Sequence, residues 1–286
     1  MSARPVLRFA PTPNGELHLG HAFSALVGFE QARAWGGRFL LRIEDLDSQR
    51  SRARFVTGIC TDLAWLGLTW EEPVVFQSRR THAYRAAVER LRAMDLLYPC
   101  FATRREIAAA GAAADPDGAP LVGAAGPGAG CGAERRAGID LPFALRLDMH
   151  KALAVAARKL AGTPLSFSEL DAAGNARRIR AEPERWGNAI IVRKDVPASY
   201  HLAVVVDDAW QAVTHVVRGR DLFAATDLHR LLQVLLDLPE PRYRHHRLIT
   251  DALGRKLAKS ARATSLAALR ASGLTPRDIR RRVGLA

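Results

Sequence analysis

Two short stretches, far apart in the chain, carry side chains that suit phosphate chemistry. The first is Arg8-Phe-Ala-Pro-Thr-Pro-Asn-Gly-Glu-Leu-His-Leu-Gly-His21, in which His18 and His21 stand three apart. At helical spacing two imidazoles share one face of a first turn, where both can donate to phosphate oxygens. Gly20 between them lets a nucleobase or ribose approach the backbone. The second stretch is Lys256-Leu-Ala-Lys-Ser260, flanked by Gly254 and Arg255. Two mobile cations beside a hydroxyl suit the charge that develops on a transferring phosphoryl group. Taken singly, neither stretch decides the matter. The histidines could be half of a metal site or solvated surface, and the pentad a solvated loop.

The elements needed to position these groups are legible around them. An apolar run, Val6 to Ala10, enters a turn rich in Pro, Asn and Gly, and the turn opens onto a helix-like segment reaching about Trp35. Strand, tight turn and helix N-terminus in that order form an anion site, because backbone N–H groups and the helix dipole face the ligand. Arg38 to Glu44 reads as a strand, and Arg52–Leu66 and His82–Met94 as amphipathic helices. Such alternation predicts an α/β fold with a doubly wound parallel sheet, in which ligands bind beyond the carboxyl ends of strands. Glu44 and the turn after Ala10 are expected at such ends. From Arg104 to about Gly138 the composition shifts to Ala, Gly and Pro, predicting a short helix and then a flexible loop. It begins an insertion, expected to form a small α/β lobe with a strand at Phe143 to Leu147. Further strands are expected at Ala189–Val192, Leu202–Val206 and Val213–Val217, and a helix at Leu222–Leu236. The resulting division is 1–98 for the first half of the core, 99–186 for the insertion, 187–248 for the second half, and 249–286 for the lysine loop with a short basic tail.

Together the two stretches resemble the paired signatures of class I aminoacyl-tRNA synthetases, usually written HIGH and KMSKS. Four fuller strings are similar to the glutamyl branch of that class: the opening one, Leu41-Arg-Ile-Glu-Asp-Leu-Asp47, Tyr200-His-Leu-Ala-Val-Val-Val-Asp-Asp208 and Val217-Arg-Gly-Arg-Asp-Leu222. The resemblance runs in order from Arg8 to Ser260 and implies a Rossmann-type core. It further implies a ligase that uses ATP with Mg²⁺ to activate L-glutamate as glutamyl-adenylate. His18, Gly20, His21, Lys256, Lys259 and Ser260 are then expected to bind ATP, with His18, His21, Lys256 and Lys259 catalytic. Arg8, Ala10, Thr12, Glu44, Tyr200 and Arg218 are expected around glutamate. Glu44 suits the ammonium, and Arg8 and Arg218 can each fork onto a carboxylate. Which arginine takes which carboxylate stays open at this level.

After Ser260 only 26 residues follow, too few for the helical region with which full-length members read an anticodon. The layout resembles the catalytic core standing alone, as in members that activate glutamate without tRNA and place it on the queuosine base of aspartate tRNA. A truncated enzyme charging the 3′ end of glutamate tRNA, or a catalytically silent RNA-binding paralogue, are the alternatives. His201 stands where the branch commonly has Asn, and Ala258 where Ser is frequent. Many members hold zinc with a Cys-x-Cys pair, a Tyr and a further Cys. Here those places read Cys100, Ala102, Pro127 and Cys131, so no structural zinc is expected.

The net charge of +13 suggests a polyanionic partner, and RNA fits. The excess is nearly all Arg, however, amid many Ala, which genome composition can also produce. No apolar run is long enough to span a membrane and no signal peptide opens the chain, so a cytoplasmic, membrane-free monomer is expected. Three scattered cysteines argue against a disulfide framework. Asp207-Asp208 is expected to end a strand and cap the next segment, and His245-His246 to lie solvated in a basic loop. Trp65, Trp70 and Cys60 read as packing residues.

Overall fold

A computed structural model describes residues 4–109, 113–122, 142–250 and 264–285. The first half of the chain supplies β1 (Val6–Phe9), α1 (Leu19–Ala34), β2 (Arg38–Ile43), α2 (Ala53–Trp65), β3 (Glu71–Phe76) and α3 (Thr81–Ala93). Next come β4 (Leu97–Cys100), α4 (Arg104–Ala109), β5 (Ala144–Leu147), α5 (Met149–Lys159), β6 (Ser166–Leu170), β7 (Ala176–Arg180) and β8 (Ile190–Val192). The remainder is α6 (Tyr200–Trp210), β9 (His215–Gly219), α7 (Ala225–Leu235), β10 (Arg242–His246), α8 (Leu266–Ala271) and α9 (Pro276–Arg282).

Strands β1, β2 and β3 pair in parallel in that order, and β9 pairs in parallel with β10. The two sets meet at β1 and β9, where the Thr214 amide donates to the Val6 carbonyl at 3.0 Å and the Val6 amide to Thr214 Oγ1 at 2.8 Å. Read across, the order is β3-β2-β1-β9-β10, with the direction of winding reversing between β1 and β9. This is the doubly wound parallel core, and its switch point lies at the two strands that carry Arg8 and Arg218. Beyond β10 the sheet continues into β6 and the antiparallel β7, while β4, β5 and β8 form a separate antiparallel sheet.

Strand side chains alternate between faces, and the pattern decides where the charges go. Leu7, Phe9, Phe39, Leu41, Ile43 and Val217 pack with α1 in one apolar cluster; Val6, Leu40, Val216 and Tyr243 pack in another with Phe167. Arg8, Arg42 and Arg218 follow Val6, Leu40 and Val216 by two residues, so three arginines share the second face near the strand ends. Arg42 is fully buried, and Arg8 and Arg218 are about 95 % so. Against this face packs α6.

That helix corrects one sequence-based expectation. Leu202–Val206 reads as a strand on its run of β-branched residues, but it lies inside α6, where Ser199 caps the start by accepting from the Leu202 amide. The run is buried against α3 and α7, and burial on all sides suits a helix as well as a central strand; the cap decides. Asp207 and Asp208 consequently end no strand. They sit in α6, both buried. Asp208 takes Arg8 through Nε at 3.0 Å and Nη2 at 3.2 Å, and Arg42 Nη1 at 2.8 Å. Asp207 accepts from Arg80 at 2.6 Å, Tyr84 at 2.7 Å and Gln77 at 2.9 Å. His245-His246 form no solvated loop: they end β10, and the His245 side chain is 1 % exposed. Strands β3, β4 and β10 escape a reading by pattern because their stretches mix apolar residues with Pro, Arg or His. Cys60 and both tryptophans pack against the α1 side as expected.

Removing one member of a buried ion cluster strands its partners. Arg42→Met keeps the aliphatic stem yet leaves Asp208 and Glu44 short of a cation, and should cost about 3–5 kcal/mol of stability. Urea unfolding of both proteins measures it; a loss below about 1 kcal/mol would contradict the role assigned to the cluster.

Candidate active site

A cavity of about 550 Å³ opens at the switch point, beyond the carboxyl ends of β1 and β9. Of the side chains and glycines singled out from sequence, it is lined by Arg8, Ala10, Thr12, His18, Gly20, His21, Glu44, Tyr200 and Arg218. Residues separated by more than two hundred positions are thereby brought to one wall. Lys256, Lys259, Ser260 and Ala258 lie outside the described residues. The chain on either side of them is placed: Ile249 lines the cavity, and Ser265 forms a β-bridge with His18, with the Leu266 amide donating to the Leu17 carbonyl at 2.7 Å. His246, Asp221, Arg247 and Ser24 also line the cavity; sequence reasoning gives none of them a role here, although Asp221 lies within one of the matched strings.

The turn after β1 delivers α1 with its N-terminus at the cavity. His18 is the N-cap and closes a reciprocal capping box with His21. Nδ1 of His18 accepts from the Gly20 amide at 3.1 Å, and Nδ1 of His21 accepts from the His18 amide at 3.2 Å. With Nδ1 accepting, each ring carries its proton on Nε2, the atom farther from the backbone, as a phosphate-donating histidine requires. Gly20 has a second reason to lack a side chain: a Cβ there would stand 3.0 Å from the His18 ring.

Glu44 follows β2 and is held by its amide, which donates to the Pro11 carbonyl at 3.0 Å. Its carboxylate lies 3.5 Å from Arg42, in a side chain only 10 % exposed. Burial pushes the Glu44 carboxyl up to about 7 although Arg42 and Arg8 draw it down. Burial also tends to raise Asp208, but there Arg8 and Arg42 win and hold it below the usual carboxylate range. Both nearby arginines are thus already drawn to Asp208, and Glu44 is left as a carboxylate poised to gain a cation.

Arg218 is the opposite case. Among the described residues no carboxylate pairs with it. Its partners are neutral: His245 at 3.1 Å, His229 at 3.2 Å, Thr226 at 2.7 Å and the Tyr200 hydroxyl at 3.4 Å. Burial, and then the Arg218 charge, depress both His229 and His201, the latter to about 3. Burial likewise drops His245 to about 4, against the pull of Glu169. A buried cation without a counter-ion is costly, and its natural complement is an anionic ligand.

The model of class I tRNA synthetases (E and Q), catalytic domain, matches residues 6–116 and 174–285. The chain belongs to this family. The gap between the two matched parts falls within the segment expected as an insertion. Among curated relatives, the glutamyl-Q tRNA(Asp) synthetase of Rhodobacter capsulatus is 47 % identical, over 98 % of this chain and all of its own. That of Symbiobacterium thermophilum is 40 % identical, over 95 % of this chain and 83 % of its own. Among solved structures, the glutamate-tRNA synthetase of Elizabethkingia anophelis superposes with a TM-score of 0.71 at 25 % identity, covering 96 % of this chain. The chain spans 59 % of that larger protein.

No group of three His, Cys, Asp or Glu side chains among the described residues is placed to hold a metal ion. Cys100 lies buried at the end of β4 with Ala102 packed beside it. Pro127 and Cys131 fall outside the described residues. Nor is any described helix long and apolar enough to cross a membrane.

Glu44 makes a testable mark on stability. Below about pH 4.5 both the folded and unfolded chain hold its proton, and above about 7 neither does; between them only the fold does. The folded state therefore loses stability as pH rises across that window, by about 3 kcal/mol from this group. In Glu44→Gln that loss should vanish from the stability–pH curve. Parallel curves for the two proteins between pH 4.5 and 7 would refute the assignment.

Proposed function

We propose that the protein activates L-glutamate with ATP, without tRNA, to form glutamyl-adenylate, and then transfers glutamate to the queuosine base in the anticodon loop of aspartate tRNA. The observation that carries the first half is the charge arrangement of the cavity, a carboxylate short of a cation beside a guanidinium short of an anion. A zwitterion with an additional carboxylate answers both. The acceptor rests on the relatives: the chain covers the whole of the R. capsulatus protein, whose name states that substrate.

Glutamate's ammonium meets Glu44. The α-carboxylate must turn towards ATP and give up charge as it reacts, so the firmly held carboxylate is that of the side chain, on Arg218 with the Tyr200 hydroxyl. Arg8, engaged by Asp208, contributes its field and supports the floor beside Ala10 and Thr12. An α-carboxylate oxygen attacks the α-phosphorus in line; the new P–O bond forms as the bond to the β-phosphate breaks and pyrophosphate departs. Little covalent help is needed, and alignment with charge stabilisation supplies the rate. His18 and His21 donate from Nε2 to phosphate oxygens, Gly20 lets the nucleoside lie against α1, and Lys256, Lys259 and Ser260 stabilise the leaving group. Mg²⁺ accompanies ATP as part of that substrate. In the second step a queuosine hydroxyl attacks the glutamyl carbonyl and AMP leaves.

Pyrophosphate exchange into ATP should depend on glutamate, proceed without tRNA, and fall sharply with aspartate or glutamine; exchange driven better by another amino acid would overturn the reading of the pocket. Glutamate transfer should require queuosine in aspartate tRNA. Equal transfer to aspartate tRNA lacking it, or preferential charging of glutamate tRNA, would replace the acceptor with a 3′ end. Because the ammonium needs ionised Glu44, the apparent glutamate KM should rise as pH drops through about 7, by about tenfold between pH 8 and pH 6. Glu44→Gln should flatten that dependence; a wild-type KM constant across this range would argue against the contact.

A further inference from the structure

A guanidinium can only donate, so every group touching Arg218 must present a lone pair. This fixes the protons of the histidines around it. Nδ1 of His229 lies 3.2 Å from Arg218 Nη1 and accepts, so the His229 proton sits on Nε2. That Nε2 lies 3.1 Å from Nδ1 of His201, which therefore accepts in turn and carries its own proton on Nε2. Donation runs one way, from Arg218 to His229 to His201. At its outer end, His201 Nε2 stands 4.0 Å from Asp117 on the turn between Ala114 and Pro120. On the other side of Arg218 the order is mirrored: His245 Nδ1 donates to Glu169 at 2.9 Å, leaving Nε2 to accept from Arg218 Nε at 3.1 Å.

Counting donors shows what remains for a ligand. Arg218 commits Nε to His245, Nη1 to His229 and Tyr200, and one Nη2 proton to Thr226. Of the five N–H groups a guanidinium has, one on Nη2 is left. Tyr200, accepting from Nη1, keeps its O–H to donate. Neither His201 nor His229 lines the cavity; both are packed behind it, with the Trp186 ring edge-on to His201 at 4.8 Å and Tyr200 edge-on to His229 at 5.5 Å.

We propose that His229 and His201 are positioning residues for amino-acid recognition: their directed hydrogen-bond chain fixes the Arg218 guanidinium so that its one uncommitted N–H, with the Tyr200 hydroxyl, meets a carboxylate. Two donors so held require two acceptor oxygens. Glutamate's side chain supplies both, whereas glutamine supplies one and turns an NH₂ donor towards the second. The chain thus acts in discrimination between the two, a role that rests on the reading of Arg218 as the carboxylate-binding group.

Asparagine and leucine variants at each position test this, because an Asn Oδ1 falls close to the place of a His Nδ1. His201→Asn keeps the acceptor that His229 needs, and His229→Asn keeps the one that Arg218 needs but gives up the Nε2 donor to His201; His229→Leu and His201→Leu remove the acceptor. In tRNA-free pyrophosphate exchange by the full chain, the leucine variants should raise the glutamate KM about tenfold or more and narrow the preference over glutamine. Their ATP KM should stay within about twofold, His201→Asn within about threefold of wild type throughout, and His229→Asn should raise the glutamate KM less than His229→Leu does. Equal damage from Asn and Leu, or parallel rises in both KM values, would mean that these residues only fill space. A second measurement is independent of catalysis. Long-range ¹H–¹⁵N correlation on histidine-labelled wild type at neutral pH should find His229 and His201 neutral with the proton on Nε2, and His245 with it on Nδ1. A proton on Nδ1 of His229, or an imidazolium there, would sink the chain whatever the amino acid activated. Absent glutamate-dependent exchange with the expected tautomers in place would instead condemn the functional reading and leave the chain standing.

Discussion

The structure depends on one electrostatic constraint: three buried arginines on adjacent strand ends, all on the same face of the sheet. Such a face can exist only if something anionic is packed against it. Helix α6 meets the demand with Asp208, which holds Arg8 and Arg42 together, while Asp207 ties the same helix to Arg80, Gln77 and Tyr84 on the α3 side. The sheet, α6 and α3 are thereby locked in mutual orientation by charge as well as by apolar contact.

The compensation is incomplete, and the incompleteness creates the site. Asp208 is close to two arginines and far enough from the third that Arg218 keeps only neutral partners. Glu44, at the end of the neighbouring strand, competes poorly for Arg42 and is desolvated without full neutralisation. Both unmet charges border the cavity into which His18 and His21 direct the N-terminus of α1. Functional preorganisation and local instability are here the same thing, and the remaining core has to carry the cost.

Much of this was legible in the chain. Strand, turn and helix around His18 follow from apolar runs and Pro/Asn/Gly punctuation, and those residues taken from the synthetase resemblance that are described gather on one cavity. What resisted reading was every feature in which a polar residue had been buried for the sake of another far away. Leu202–Val206 looks like a central strand because buried helices and buried strands share an apolar composition; only Ser199 hinted otherwise. Asp207-Asp208 and His245-His246 looked like surface, since charged and imidazole side chains usually are. One signal was available: Val6–Arg8, Leu40–Arg42 and Val216–Arg218 repeat an apolar residue and an arginine on the same strand face. Buried strands that alternate this way announce a missing anion. Which anion answers cannot be read from spacing, because Arg8 and Asp208 are 200 residues apart.

That separation has a consequence for how the chain is made. Arg8 emerges from the ribosome 200 residues before the aspartate that neutralises it, which at about 5–20 residues per second means about 10–40 s. Throughout that interval β1 lacks both its β9 neighbour and its counter-charge, so the early part of the molecule must stay hydrated at its future centre. The enzyme's ligand pocket is consequently a late product of synthesis, complete only once α6, β9 and the end of β10 that border it have followed.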